Sequence, residues 1–337
     1  MIPSISESFS FNKNGLVSYS ITVTMLLTAI LVISIIGFYQ IDSAEAQLTN
    51  TSSVSELIDK GNSLSNQGKY EEAIVWYDKV LSVNPSDVGA LSNKGIALYN
   101  LGKYEEAISW TDNALVIDPK EVHALYNKGL AYYRLGNYED AIVWYDKASA
   151  IEPKNANLLN SKGTALYKLG RYEEAISWYD KALAIEPKNV DVFYFKAAAL
   201  HHLGRYEEAI SWYDRGLAVE PKDVDFLTSK GVDLYNLGRY YEAISSCDKA
   251  LAVEPKNTYA SFFKAAALHE LGRYEEAITV YDKALQMNPF DVKLLIGKGV
   301  TLVYLGKTQG ALESWDKALT IDPTNQEALN FTSAYRK

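Results

Sequence analysis

The side chains best equipped for chemistry in this 337-residue chain are one cysteine, four histidines and 42 carboxylates. Cys247 stands alone, so neither an intrachain disulfide nor a cysteine-based metal site can form. A catalytic thiol needs a basic partner that favours the thiolate, and no local pattern around Cys247 suggests one. His201 and His202 are adjacent, which sends them to different sides of a helix, and no histidine pair has metal-ligand spacing on one helix. There is no glycine-rich phosphate loop and no nucleophile elbow. The residue types therefore indicate no catalytic residue, no metal, no cofactor and no evident small-molecule substrate.

Charge narrows the partners further. A net charge of −9 argues against nucleic acid, because a phosphate-binding surface needs a basic excess. Basic and acidic residues are interleaved, as on a solvated surface.

The carboxylates recur at fixed intervals because the whole chain does. Prolines 85, 119, 153, 187, 221, 255, 289 and 323 are each 34 residues apart. Leu169–Pro187 (LGRYEEAISWYDKALAIEP) returns almost unchanged as Leu203–Pro221 (LGRYEEAISWYDRGLAVEP). A period of this size marks an array of stacked units, and the carboxylates report that repeat and no catalytic dyad. With proline at unit position 32, the units are 54–87, 88–121, 122–155, 156–189, 190–223, 224–257, 258–291 and 292–325, followed by a closing helix over 326–337.

Glycine stands at unit position 15 in all eight repeats, Gly68 to Gly306, and predicts a turn between two short helices, A and B. Asp or Asn at position 34 (Asp87, Asn155, Asn189, Asp223, Asn257, Asp291, Asn325) predicts the N-cap of the next helix A, with Glu121 a weaker choice. Positions 4, 8 and 11 form one apolar stripe, Leu159, Gly163 and Leu166 in repeat 4, and the small residue at 8 predicts a close approach. Neither helix is long enough to stand alone, so stability must come from stacking. Cys247 occupies a position that is tyrosine in five other repeats and reads as a core filler.

Ahead of the repeats, residues 14–41 carry no charge, and residues 16–39 are long enough to cross a bilayer as a helix. The leading expectation is a retained transmembrane anchor at 16–39, with a polar tail at 1–15 and a spacer at 40–53. A signal peptide cleaved after Ala46 (Ala44-Glu45-Ala46) and a buried soluble helix are the alternatives. Lys13 before the run, with Asp42 and Glu45 after it, places the N-terminus in the cytoplasm and the repeats outside. Asn50-Thr51-Ser52 and Asn330-Phe331-Thr332 fit the glycosylation sequon.

With apolar residues at 4 and 11, Gly or Ala at 8, Ala at 20, an aromatic at 24, a small residue at 27 and Pro at 32, the chain resembles a tetratricopeptide-repeat (TPR) protein. The resemblance implies an all-α fold: a right-handed superhelix (α-solenoid) of eight helix-turn-helix repeats and a closing helix, here preceded by one transmembrane helix. It implies a protein-interaction scaffold that binds protein or peptide ligands, not an enzyme. In such proteins positions 2, 5, 9 and 12 of helix A face a bound peptide, and that spacing does fall on one helical face. Here the face offers Tyr126, Tyr194 and Phe262 at position 5, and Tyr99, Tyr133, Tyr167, His201, Tyr235 and His269 at position 12. Binding and inter-repeat stacking compete as explanations of the position-12 rings.

Two ligand modes of the family can be compared residue by residue. A carboxylate clamp finds Asn62 and Asn93 but has Ile58, His123 and Asn127 where its cations belong, so the clamp is rejected. An asparagine ladder at position 6 finds Asn93 and Asn127 and then ends. One departure is regular: lysine at position 7 and aspartate at position 25 in every repeat. A Lys–Asp ladder between neighbouring helices and independent solvated charges both remain open. The membrane-anchored scaffold has two further alternatives, an exported soluble module and a regulatory subunit of a membrane enzyme.

Overall fold

A computed structural model describes residues 54–336. The expected tail, transmembrane helix, spacer and cleavage site (residues 1–53) lie outside the described residues. No helix among the described residues is long and apolar enough to cross a membrane.

Seventeen helices and no strand occur among the described residues. The chain divides after Pro119 into two compact units. The first contains α1 (Val54–Asn66), α2 (Tyr70–Val83), α3 (Val88–Asn100) and α4 (Tyr104–Ile117). The second contains α5 (Val122–Arg134), α6 (Tyr138–Ile151), α7 (Ala156–Lys168), α8 (Tyr172–Ile185), α9 (Val190–His202), α10 (Tyr206–Val219), α11 (Val224–Asn236) and α12 (Tyr240–Val253). It continues through α13 (Thr258–Glu270), α14 (Tyr274–Met287), α15 (Val292–Tyr304), α16 (Thr308–Ile321) and α17 (Gln326–Tyr335). Helix A fills unit positions 1–13 and helix B positions 17–30 in each repeat. Within each unit a helix packs on its sequence neighbours, which is the solenoid logic of stacked pairs.

The boundaries follow from local chemistry. All eight position-15 glycines have φ between +71° and +81°, a conformation that residues with a Cβ rarely adopt. In repeat 2, Lys103 N–H reaches back to the Leu98 carbonyl at 3.0 Å and Gly102 N–H to that of Tyr99 at 2.9 Å, which caps helix A with its own orphan acceptors. The Asp and Asn residues at position 34 cap as expected; Asp87 Oδ1 accepts from Ala90 N–H at 2.9 Å. Glu121, read as the weaker cap, performs the same task. Its longer side chain folds back to accept from the backbone N–H groups of His123 and Ala124.

The close approach at position 8 has an identifiable cause. It makes room for the position-24 ring of the same repeat: a Cβ on Gly61, Gly129 or Gly163 would lie 2.5–2.6 Å from the ring of Tyr77, Tyr145 or Tyr179. Those rings are buried, as are Trp315 and Cys247 at the same position. Cys247 is thus a core residue, and burial pushes its thiol up to about 12.

The Lys–Asp ladder exists, and its register is between repeats. Each position-7 lysine reaches the position-25 aspartate of the preceding repeat at all six junctions inside the units. Lys94–Asp78, Lys264–Asp248 and Lys298–Asp282 lie at 2.5–2.6 Å, and Lys162–Asp146, Lys196–Asp180 and Lys230–Asp214 are also in contact. Against α17, where Thr332 occupies position 7, Arg336 reaches Asp316 from one turn further on. The aspartates are half exposed, so each pair contributes about 0.2–1 kcal/mol.

Tryptophan at position 23 strengthens the first part of this ladder. The ammonium groups of Lys94, Lys128, Lys162 and Lys196 sit 3.6–3.9 Å from the ring centres of Trp110, Trp144, Trp178 and Trp212. Where position 23 becomes Ser246, Val280 or Ser314, the paired lysine side chains are 24–25% exposed; Lys94, Lys162 and Lys196 are 9–11% exposed. The ring covers the lysine stem and supplies a cation–π contact, so a position usually apolar accepts a charge.

Candidate functional site

The position-12 rings are held first by their own repeat. Tyr99, Tyr133, Tyr167, His201, Tyr235 and His269 each lie 5.2–5.6 Å, centre to centre, from the tyrosine at position 17: Tyr104, Tyr138, Tyr172, Tyr206, Tyr240 and Tyr274. Each is half-buried. Packing therefore fixes the row without hiding it, as suits rigid aromatic contact groups.

The asparagines are differently placed. Asn93 spends an amide hydrogen on Asn62 Oδ1 at 2.9 Å, and the Tyr77 hydroxyl donates to the same oxygen at 2.9 Å. Asn127 is buried. The partial ladder thus has one amide engaged by an internal network and the other inside. Tyr126 is half-buried, its hydroxyl 3.1 Å from Ser161 Oγ.

In the second unit the helix-A face opens into two hollows. One, of about 580 Å³, places Tyr194 beside Phe195, Phe226, Asp191 and Asp225. The other, of about 440 Å³, unites Tyr235, Phe262 and His269 with residues that sequence reading missed: Tyr281, Ile296, Gly297, Val300, Glu327 and Phe331. Ile296 and Val300 occupy positions 5 and 9 of repeat 8 and obey the facing rule, but being aliphatic they carry no aromatic signal. Glu327 and Phe331 come from α17, where they take positions 2 and 6 of the repeat numbering. Gly297 lets the Tyr281 hydroxyl into the floor, since a Cβ there would lie 2.5 Å from that oxygen.

Burial and the Glu270 carboxylate set the electrostatics of this hollow, Glu270 acting on both His269 and Tyr235. Burial lowers the pKa of His269, which leaves its imidazole neutral at pH 7. Thr301 Oγ1 donates to the Gly297 carbonyl at 2.8 Å and lies 3.1 Å from His269 Nδ1. The hydroxyl proton being committed, Nδ1 carries the imidazole proton and Nε2 is left as an acceptor. Lys293, Glu270 and Glu327 complete the lining. Apolar walls with a few fixed polar groups suit non-covalent capture of a side chain. Among the described residues no group of three or more His, Cys, Asp or Glu could hold a metal ion. His201 and His202 do diverge: His201 turns to Asp233, and His202 Nε2 lies 3.0 Å from the Tyr167 hydroxyl.

Two family models match the array. One, described as anaphase-promoting complex, cyclosome, subunit 3, covers residues 66–148 and 136–216; the other, described as tetratricopeptide repeat, covers 228–292. Residues 228–292 match the tetratricopeptide-repeat model, and the described residues form a TPR-like all-α solenoid. No curated protein matches the chain. Among solved structures, the C-terminal part of a TPR repeat-containing protein from Cytophaga hutchinsonii is 20% identical with a TM-score of 0.60, the match covering 71% of this chain and 98% of that one. A chain of the APC/C hetero-tetramer Cut9–Hcn1 is 16% identical with a TM-score of 0.56 over 88% of this chain. That match spans 59% of the Cut9–Hcn1 chain's own length. At these identities the likeness is one of TPR fold.

Proposed function

We propose that this TPR array is a protein-interaction scaffold that captures a peptide segment on the helix-A face of its second unit, centred on the hollow between Phe262, Ile296 and Phe331. The observation that carries the reading is the half-buried ring row, held by tilted and edge-on ring contacts within each repeat and ending in a largely apolar hollow with neutral His269 at its wall. Rigid aromatics bind at low entropic cost, and their truncation typically removes about 2 kcal/mol at such contacts. Selection of a random peptide library on the full chain provides ligands for the test. Phe262→Ala is expected to weaken the selected peptides about thirtyfold, the equivalent of that energy, while Val116→Ala, at an exposed site on the first unit, leaves them unchanged. Equal affinity for wild type and Phe262→Ala would remove the hollow from the account.

The same proposal tethers the array to a membrane through residues 16–39, with the repeats extracytoplasmic. Its support is the charge-free run and the lysine that precedes it. N-terminal sequencing of the mature protein separates this from release after Ala46: a start at residue 47 would make the array an exported soluble module.

A further inference from the structure

The histidines at position 12 differ from the tyrosines in what the next repeat places against them. Position 10 of the following repeat is alanine after Tyr133, Tyr167 and Tyr235 (Ala165, Ala199, Ala267). After His201 it is Asp233, and after His269 it is Thr301. In both cases the polar residue receives the ring: His201 Nδ1 contacts Asp233 Oδ1, and His269 Nδ1 lies 3.1 Å from Thr301 Oγ1. The two substitutions within the repeat pattern are therefore one contact, made 32 residues apart.

The charged version stands at a particular junction. Asp233 is 0% exposed, its Oδ2 has no hydrogen-bond partner, and among the described residues His201 is the one counter-charge paired with it. The backbones of α9 and α11 approach less closely than the helix-A pairs of repeats 3–4, 4–5, 6–7 and 7–8. A side-chain bridge thus spans a junction where the helix-A backbones meet sparsely. We propose that His201 and Asp233 form a proton-controlled clasp between repeats 5 and 6, closed while the imidazole is charged and weakened when it is neutral.

The surroundings leave control to this pair. From α9, His202 faces His201 with its ring 5.5 Å away, and its own pKa is lowered by burial and by His201. From α10 come Tyr206, its ring tilted against His201 at 5.6 Å, and Tyr213. Tyr259 of α13 feels the Asp233 charge. No lysine, arginine or second carboxylate interacts with the pair among the described residues.

The sign follows. The Asp233 bond raises the pKa of His201 above 6.5, so its contribution to stability is complete below that value and is lost as pH rises through the folded pKa. Burial raises Asp233, with His201 opposing, and this acts in the same direction at acid pH. Above the histidine step the chain holds a buried carboxylate with no counter-charge, which is costly.

The test compares the full chain with the double variant His201→Tyr/Asp233→Ala, which installs the Tyr–Ala combination that other junctions already use. Imidazole NMR titration of wild type should show one of four histidine signals, the one missing from the double variant, titrating above 6.5, with His269 below it as an internal contrast. The thermal midpoint of wild type should fall from pH 6 to pH 8.5, with hydrogen exchange quickening at α9 and α11, and the double variant should lose that slope. A His201 signal titrating at or below 6.5, or an unchanged slope in the double variant, overturns the clasp. Neither readout depends on a peptide ligand, so the clasp stands or falls apart from the groove.

Discussion

Trp315→Ala is expected to cost about 3–5 kcal/mol, the range for truncating a fully buried tryptophan. Trp315 is 0% exposed, stacks on Phe331 at 5.1 Å and 17°, and donates from Nε1 to the Ile296 carbonyl at 3.3 Å. It therefore joins α15, α16 and α17 at once. In a stack where each repeat leans on its neighbours, the loss should stay local. Hydrogen exchange should show α15–α17 opening while α1–α4 keep their protection. Uniform loss across both units would show that the array unfolds as one block. Because Phe331 and Ile296 also line the candidate hollow, the variant should lose peptide binding with its local stability.

Gly163→Val tests the packing rule at position 8, at an expected cost of up to about 3 kcal/mol from overpacking. A Cβ at residue 163 would stand 2.6 Å from Cε1 of Tyr179, whose ring is fully buried. Gly163→Ala should cost much less, because Ala197 and Ala265 already coexist with Tyr213 and Tyr281 in repeats 5 and 7. The denaturant midpoint of the two variants decides it: equal midpoints would mean that the ring, and not the glycine, yields.

These two variants also show what the sequence makes legible. Period, turns and caps are visible because each depends on one residue and its immediate backbone: glycine at φ near +72° in Gly204, or Asp223 accepting from Phe226 N–H. The position-8 spacing is visible as well, but not what fills the space, since Tyr179 lies 16 residues further along and reaches Gly163 only after the two helices fold together. The ladder was half legible. Lysine at 7 and aspartate at 25 are plain in every repeat, whereas the choice of the preceding repeat as partner depends on stacking. The covering role of Trp110, Trp144, Trp178 and Trp212 depends on the fold of each lysine's own repeat.

The site follows the same division. The ring positions come from a rule about one helical face, and Tyr235, Phe262 and His269 do converge. Ile296, Val300 and Phe331 were hidden because aliphatic residues and a closing helix look like ordinary core. Asp233 was hidden in a different way: its burial contradicts its charge, and only the position of His201 in the previous repeat explains it.

The most direct measurement is hydrogen exchange of the full chain with and without a library-selected peptide. Capture on the helix-A face predicts added protection in α13, α15 and α17, with α2 and α4 of the first unit unaffected. Protection confined to the helix-B elements α12, α14 and α16, with α13, α15 and α17 unchanged, would contradict it.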